Sequence, residues 1–441
     1  MTEGSPYAGY TYSYPHKTAY RRLPAPVPLA RAWAGEDTGR LFLYAHVPFC
    51  EMRCGFCNLF TTARPEADVT AAWLDAVTRQ ASRTRADLEE AGGRPPAFAR
   101  VAVGGGTPTW LTAAQLTRLF DLLEQGMGAD LRAVPVSVEV SPGTLDAEKL
   151  AILRERGADR VSIGIQSFFD EDVRAMGRPQ RRAEVERALG ALRDAGFPTL
   201  NLDFIYGGAT QTVARWVETL ETALAWSPEE IYLYPLYVRP LTGLGRRGRG
   251  VAEDWDAHRL ALYRAGRDLL RARGYQQVSM RMFRSPRSDG DAPVYRCQDD
   301  GMVGLGCGAR SYTRGLHYSS EYAVSARGVR EILTDYLGRT EDDFAAAVYG
   351  FALDAHEQRR RFALLSLLSE EGLSLADWAA RFDEPPAEAL PQLDALPALR
   401  LARWADGALR LTDAGVERSD AIGPWLYSPA VRARMDGYDL T

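Results

Sequence analysis

Cysteine is scarce in this chain, five residues in 441, and the number is odd. With no signal-peptide pattern in "MTEGSPYAGYTYSYPHK", this argues against a disulfide framework and for reduced thiols available to a metal or to catalysis. No basic segment followed by an apolar one opens the sequence, and no uninterrupted apolar run reaches membrane-spanning length, so a cytoplasmic protein without a membrane partner is expected. An excess of positive charge is also missing. Lys and Arg total 53 against 58 Asp and Glu, a net charge of −5, which argues against a broad nucleic-acid footprint and favours a small-molecule substrate. The content is 46% hydrophobic and 25% charged, enough for a sizeable core and not that of a disordered chain. A length of 441 exceeds what one core supports, so a large domain with at least one smaller one is expected.

What the chain does have is a rhythm. From residue 41 a short apolar or β-branched run is followed by a longer stretch of helical period, and the pattern recurs through "LFLYAHVPF", "FARVAVGGG", "VPVSVEVSP", "ADRVSIGIQ", "FPTLNLDFIYG" and "EEIYLYPLYV". Intervening stretches such as "LTAAQLTRLFDLLEQG" and "RRAEVERALGALRDAG" read as amphipathic helices, some ending in Gly where a C-cap belongs. Nearly continuous apolar strands alternating with helices predict an α/β fold with a parallel sheet, open or curved into a partial (β/α)6 barrel. Ligands of such sheets bind beyond the carboxyl ends of the strands. The expected parts are an arm over 1–40, the barrel with its elaborations over 41–335, and a C-terminal module over 342–441. "RPLTGLGRRGRGVAED" (Arg239 to Asp254) reads as a mobile surface loop or lid, and "DDGMVGLGCGARSY" as a Gly-rich run. In the last part, helical segments precede two short strands around Asp406-Gly407, a hairpin that suggests a winged-helix-like module without a basic face.

Three of the five cysteines, Cys50, Cys54 and Cys57, stand in "HVPFCEMRCGFC" with CxxxCxxC spacing, directly after the first predicted strand. A structural zinc site needs four protein ligands, and no second Cys/His pair occurs at zinc-finger spacing. Three buried structural thiols are a poor reading, because Glu51, Arg53 and Gly55 interleave them. Three thiolates in one tight loop suit a 4Fe-4S cluster held at three irons with the fourth left open.

CxxxCxxC after the first strand of a six-unit βα barrel resembles the radical S-adenosylmethionine (radical SAM) enzymes. "LYAHVPFCEMRCGFC" resembles, more narrowly, the oxygen-independent coproporphyrinogen III oxidase-like (HemN/HemW-like) subgroup. "YTYSYP", "VGGGTPT", "VSVEVSP", "RVSIGIQSF", "MGRPQ", "NLDFIYG" and "GLGCGARSY" extend the likeness along most of the chain. The resemblance implies a 4Fe-4S cluster on Cys50, Cys54 and Cys57 and S-adenosyl-L-methionine as the second cofactor. It assigns cofactor binding to Tyr44, Phe56, Gly105, Gly106, Thr107, Glu139, Gln166, Arg178 and Asp203. It also implies an electron donor of the flavodoxin or ferredoxin kind, and a 5'-deoxyadenosyl radical acting on a small-molecule substrate. Side-chain-free residues such as Gly105 and Gly106 let backbone groups approach a ligand, and an acidic Glu139 between Val residues needs a polar partner.

The resemblance also breaks in places. Coproporphyrinogen oxidases carry a further Cys two residues after the third, where this chain has Leu59, which puts porphyrinogen decarboxylation in doubt. Heme chaperones carry HNxxYW before their glycine-rich run, where this chain has "APVYRC", which disfavours heme delivery. "IYGGATQT" stands where relatives have Leu-Pro after Tyr-Gly. Methyl transfer with a second S-adenosylmethionine near Tyr237 and Arg310 is an alternative reaction, and a heme-binding or zinc-stabilised protein is an alternative class. Cys297, among polar residues, is a candidate thiol donor of hydrogen or a proton; Cys307 reads as a small hydrophobe between glycines, and His16 as a surface residue, with reach into the active site from the N-terminal arm as the alternative.

Overall fold

The computed structural model describes residues 4–248, 254–288 and 297–439. Part of the Gly- and Arg-rich stretch (249–253) and most of "APVYRC" (292–296) therefore lie outside the described residues. A mixed sheet of thirteen strands dominates. In chain order its strands are β1 (Arg21–Pro28), β2 (Leu41–Val47), β3 (Phe98–Gly105), β4 (Val136–Val140), β5 (Arg160–Gln166), β6 (Thr199–Tyr206) and β7 (Glu230–Pro235). They continue as β8 (Gln276–Gln277), β9 (Met282–Arg284), β10 (Met302–Leu305), β11 (Arg310–Tyr312), β12 (Leu316–Ser319) and β13 (Ala346–Ala352). Their order across the sheet is β1-β13-β12-β11-β10-β2-β3-β4-β5-β6-β7-β9-β8.

Strands β2 to β7 pair parallel in sequence order, as the six apolar runs predict. Helices α1 (Ala67–Gly92), α2 (Ala113–Asp121), α3 (Ala147–Glu155), α4 (Arg182–Ala195), α5 (Val213–Ala225) and α6 (Trp255–Ala272) cross back between them and beyond β7. Alternation decides which side chains meet the helices. Leu41, Leu43, Ala45 and Val47 of β2, like Val101 and Val103 of β3 and Leu200 and Leu202 of β6, are buried in one core with Trp73, Leu119, Leu189 and Trp216 of the helices. The alternate positions, Tyr44, Glu139, Asp203, Tyr232 and Tyr234, stay partly or fully reachable on the opposite face.

The Gly-rich run is not a loop. Met302–Leu305 forms β10 and joins β2 in parallel, a seventh parallel strand, while β11 folds back antiparallel to it. Glycine conceals this strand from a reading of apolar periodicity, yet Gly304 has no space for a Cβ against the Arg310 carbonyl, so the crossing itself requires glycine there. The second half of the arm is likewise a strand, β1, which pairs with β13 at the sheet edge, where its prolines remove no shared hydrogen bond from a central ladder.

A second core joins Tyr14 and Tyr20 of the arm to Leu364, Leu373, Trp378, Leu393, Leu409 and Ile422. The expected hairpin is present. Ala402–Ala405 pairs with Ala408–Leu411, and Asp406 and Gly407 turn with φ of 51° and 72°. Between the two cores the contact is ionic. Arg281 Nη2 and Tyr237 Oη both donate to Asp420 Oδ2 at 2.5 Å, and Arg264 and Arg267 of α6 both bind Glu417. Asp420 is 1% exposed and Arg281 6%, so removing one partner strands a buried charge. Asp420→Ala is expected to lower the stability read from urea unfolding by about 3–5 kcal/mol. Asp413→Ala, which removes the largely exposed Arg271–Asp413 pair, should cost less than about 1 kcal/mol.

Candidate active site

The cysteine loop begins where β2 ends. Pro48 leads out of the strand, and Phe49–Cys50 pairs in parallel with Thr62–Ala63, so that residues 51–61 form a loop closed at its base. Its position is set by backbone hydrogen bonds. Gly106 N donates to Val47 O and Thr107 N to Phe49 O, both at 2.7 Å, which joins the loop to the glycine turn after β3. Gly55 N donates to Gly177 O at 3.1 Å, and Leu244 N donates to Gly55 O at 2.7 Å. A Cβ on Gly55 would lie 2.6 Å from Met176 O, and one on Gly177 would lie 2.9 Å from Gly55 Cα. The tip of the cysteine loop is thus held between the connections after β5 and β7 through the backbone of Gly55.

This finding corrects the reading of Arg239 to Asp254 as a mobile surface loop. Its first part, Gly243–Arg246, is a helical turn that buries Leu244 with Met176, Ile205 and Leu236, and Phe56 packs against this cluster.

Cys50, Cys54 and Cys57 open onto one cavity of about 1080 Å³, whose wall also carries Phe56, Gly105, Gly106, Thr107, Gln166 and Arg178. Among the described residues no group of three or more His, Cys, Asp or Glu side chains is placed to hold a single metal ion; the cysteines instead share the cavity wall. Gly106 admits nothing larger, since a Cβ there would lie 2.9 Å from Cys50 Sγ and 2.5 Å from Phe49 O. Gln166 sits just past a register shift in β5 with φ of 69°, a left-handed conformation that costs a non-glycine residue energy and is characteristic of ligand sites. Arg178 is fixed by Gln180 Oε1 at 2.6 Å and Gly164 O at 2.8 Å, and its Nη1 lies 3.6 Å from Cys54 Sγ.

Tyr44, Glu139 and Asp203 are not in that wall. They stand on the open sheet face beside and below it. Tyr44 donates to His46 Nδ1 at 3.2 Å while His46 Nε2 donates to Phe60 O at 3.0 Å. Burial lowers His46 to about 4, which keeps it neutral and able to play both parts. Glu139 accepts from Gly105 N at 2.9 Å. Surrounded by protein yet open to the interior space, it is pushed up to about 7 by desolvation, which the Gly105 bond and Arg160 only partly offset. Asp203 accepts from Ser162 and Asn201, and burial raises it too.

The arm contributes a cluster that sequence reasoning raised only for His16. The surface reading of that residue is corrected: it lies against Tyr12, with its pKa lowered by burial and by the charges of Lys17, Arg310 and Arg239. Arg310 donates to Tyr12 Oη at 2.9 Å, and Lys17 lies 3.8 Å over the Tyr322 ring. The "YTYSYPHK" motif was the available signal, since it alternates aromatic and polar residues ahead of the first barrel strand. Cys297 opens a short helix near Arg310 and away from the cysteine cavity, and burial pushes its thiol up to about 12, so it is a thiol and not a thiolate. Cys307 is buried in the main core, as a small hydrophobe should be.

Residues 44–223 match the Radical SAM superfamily, and residues 353–417 match the HemN C-terminal domain. The oxygen-independent coproporphyrinogen III oxidase of Paracoccus denitrificans (strain Pd 1222) is 30% identical, over 94% of this chain and 90% of that protein. The heme chaperone HemW of Bacillus subtilis (strain 168) is 28% identical, over 62% of this chain and 71% of that one. The solved structure of coproporphyrinogen III oxidase (HemN) from Escherichia coli shares the fold, with a TM-score of 0.74 at 21% identity over 95% of this chain and 97% of that one. The chain belongs to the HemN/HemW-like group of the radical SAM superfamily, whose members bind a 4Fe-4S cluster and S-adenosylmethionine.

Two outcomes follow from this geometry. Glu139 holds its proton to about 7 when folded, against an ordinary 4.5, so the unfolded chain releases its proton first. Its contribution to stability is therefore present in acid, declines as pH rises from about 4.5, and levels off above about 7. Glu139→Gln should flatten the fall in Tm between about pH 5 and about pH 8. Gly106→Ala should reduce iron uptake on reconstitution, measured per chain, because its methyl group meets Cys50 Sγ.

Proposed function

We propose that this protein is an enzyme that makes a 5'-deoxyadenosyl radical and directs it at a small anionic substrate, in a reaction of the coproporphyrinogen oxidase kind. The observation that carries this reading is the common cavity of Cys50, Cys54, Cys57, Gly105, Gly106, Thr107, Gln166 and Arg178. The three cysteines would hold three irons of the cluster, leaving the fourth for the amine and carboxylate of S-adenosylmethionine. Reduced by a donor of the flavodoxin or ferredoxin kind, this pair supplies an electron that splits the sulfonium into methionine and the 5'-deoxyadenosyl radical.

The chain's own residues bind and orient. Gly105 and Gly106 expose backbone to the methionyl end, and Thr107 stands beside them at the start of the next turn. Gln166 and Arg178 reach in from the far side of the cavity, and Phe56 closes it next to Cys57. Glu139 and Asp203, fixed by Gly105 N and by Ser162 and Asn201, offer hydrogen-bond partners to the adenosyl hydroxyls from the sheet face. His46, neutral and anchored to Phe60, holds Tyr44 in place beneath the cysteine loop.

The anionic character of the substrate follows from the inner wall. Arg310 lies among the phenols of Tyr12, Tyr20 and Tyr312, and Lys17, Arg239 and Arg310 all lie within electrostatic reach of His16. Enclosed cations need a counter-charge, and a substrate carboxylate would supply it. Leu59 stands 45% exposed on the cavity wall where coproporphyrinogen oxidases carry a thiol, so the hydrogen or proton such a thiol would give must come from elsewhere or not at all. Its absence separates this chain from those oxidases. Likeness to heme chaperones favours a second reading, in which heme binds without turnover.

Anaerobically reconstituted, reduced protein is expected to be brown, to hold about four irons per chain, and to release 5'-deoxyadenosine. Cys54→Ala should lose the iron and the product together; equal product from wild type and variant would sink the assignment. A Soret band on heme addition, with no 5'-deoxyadenosine in the presence of candidate porphyrinogens, would decide for the second reading.

A further inference from the structure

We infer that the chain raises the reduction potential of its cluster through hydrogen bonds that end on each of the three cysteine sulfurs, and that the buried Thr61 is the donor to Cys57. The inference rests on the reading of Cys50, Cys54 and Cys57 as the cluster ligands.

Each sulfur has its own donor. Arg178 Nη1 lies 3.6 Å from Cys54 Sγ, Thr61 Oγ1 lies 3.8 Å from Cys57 Sγ, and the Thr107 hydroxyl bonds to Cys50. A cysteine that ligates iron has no proton, so in each pair the nitrogen or hydroxyl must be the donor. One-electron reduction by the external donor forms and breaks no bond here; it adds negative charge that spreads onto the sulfurs. Donors aimed at those sulfurs stabilise the reduced state more than the oxidised one, and hydrogen bonds to sulfur are among the recognised controls of cluster potential.

Arg178 and Thr107 also face the space assigned to S-adenosylmethionine, so their substitution would disturb two things at once. Thr61 also lies in the cavity wall, but it is only 2% exposed and its hydroxyl lies 3.8 Å from Cys57 Sγ. Backbone bonds on both sides fix it. Phe60 O accepts from His46 Nε2 at 3.0 Å, and Thr62 N donates to Pro48 O at 2.7 Å, closing the base of the cysteine loop. A β-branched hydroxyl held this firmly has little freedom to turn elsewhere.

The experiment is an EPR-monitored potentiometric titration of the full-length reconstituted protein. Thr61→Val keeps the shape and removes the donor, and Thr61→Ser keeps the donor. The expected result is wild-type iron content in both variants, with the midpoint of Thr61→Val displaced to more negative potential and that of Thr61→Ser at the wild-type value. If Thr61→Val takes up no cluster, Thr61→Ala makes the same comparison with less bulk. A midpoint unchanged by loss of the hydroxyl, or one shifted equally by Thr61→Ser, overturns the inference. Failure of the underlying reading would look different: Cys57→Ala would then keep a full cluster with unaltered EPR.

Discussion

The backbone hydrogen bonds that clamp the cysteine loop are the constraint on which the rest of the site depends. Val47 O and Phe49 O accept from the glycine turn after β3, and Gly55 bonds on one side to Gly177 and on the other to Leu244. Each such bond contributes only about 1 kcal/mol net, but together they tie four separate connections into one rigid patch at the carboxyl ends of the parallel strands. Only a parallel sheet collects so many connections at one edge, because every strand must return by a crossover before the next begins. The glycines follow from the clamp. Gly55, Gly177 and Gly243 meet backbone to backbone, and Gly106 faces Cys50 Sγ and Phe49 O, where any side chain would push the loop outward.

The open face of the sheet carries the opposite burden. Its side chains are polar and aromatic, and several are ionisable groups surrounded by protein. Where two opposite charges can meet, they do. Arg160 lies between Glu230 Oε2 and Ser137 Oγ, at 2.8 and 2.9 Å. Where they cannot, burial raises the Glu139 and Asp203 carboxyls and keeps the His46 imidazole neutral, which lessens the cost of a bare charge. The arm supplies the remaining wall and is itself held from the C-terminal side. Gly9 N donates to Asp420 O at 2.9 Å, Thr11 bonds to Tyr427 at 2.9 Å, and Arg281, paired to Asp420, lies 3.7 Å over the Tyr10 ring. A perturbation at Asp420 therefore reaches Tyr10 and Tyr237 through direct contacts.

Legibility from sequence followed the physics of each region. The strands β2 to β7 are readable because strands covered by helices are apolar enough along their length to stand out, and the Asp406-Gly407 hairpin because two successive positive φ values select those residues. The three cysteines and their neighbours on the cavity wall are readable because the loop clamp admits few residue types. The strands β1 and β10 are not. One contains three prolines and the other three glycines within or beside it, and both are determined by the strand they pair with rather than by their own pattern. Leu244 and His16 are misread for a related reason: each lies in a polar or Gly-rich stretch, and only the tertiary contact with Gly55 or with Tyr12 buries it. Thr61 carries no motif, because one hydroxyl aimed at one sulfur leaves no periodic trace.

The same division explains why cofactor chemistry is easier to assign than substrate. The part of the cavity wall beside the cysteines includes Gly105 and Gly106, whose identities are forced by close approach. Tyr12, Lys17, Arg239 and Arg310, the groups proposed to meet substrate, come from three distant segments joined only in the fold, whereas Leu59 lies on the loop itself and in the cavity wall. Tyr322 donates to Asn58 O at 2.6 Å and Cys57 N to Cys54 O at 3.0 Å, so the backbone leading into Leu59 is fixed, and its half-exposed side chain lies on the cavity wall. A residue at 59 therefore borders the cavity, and an apolar one there offers surface without a transferable hydrogen or proton.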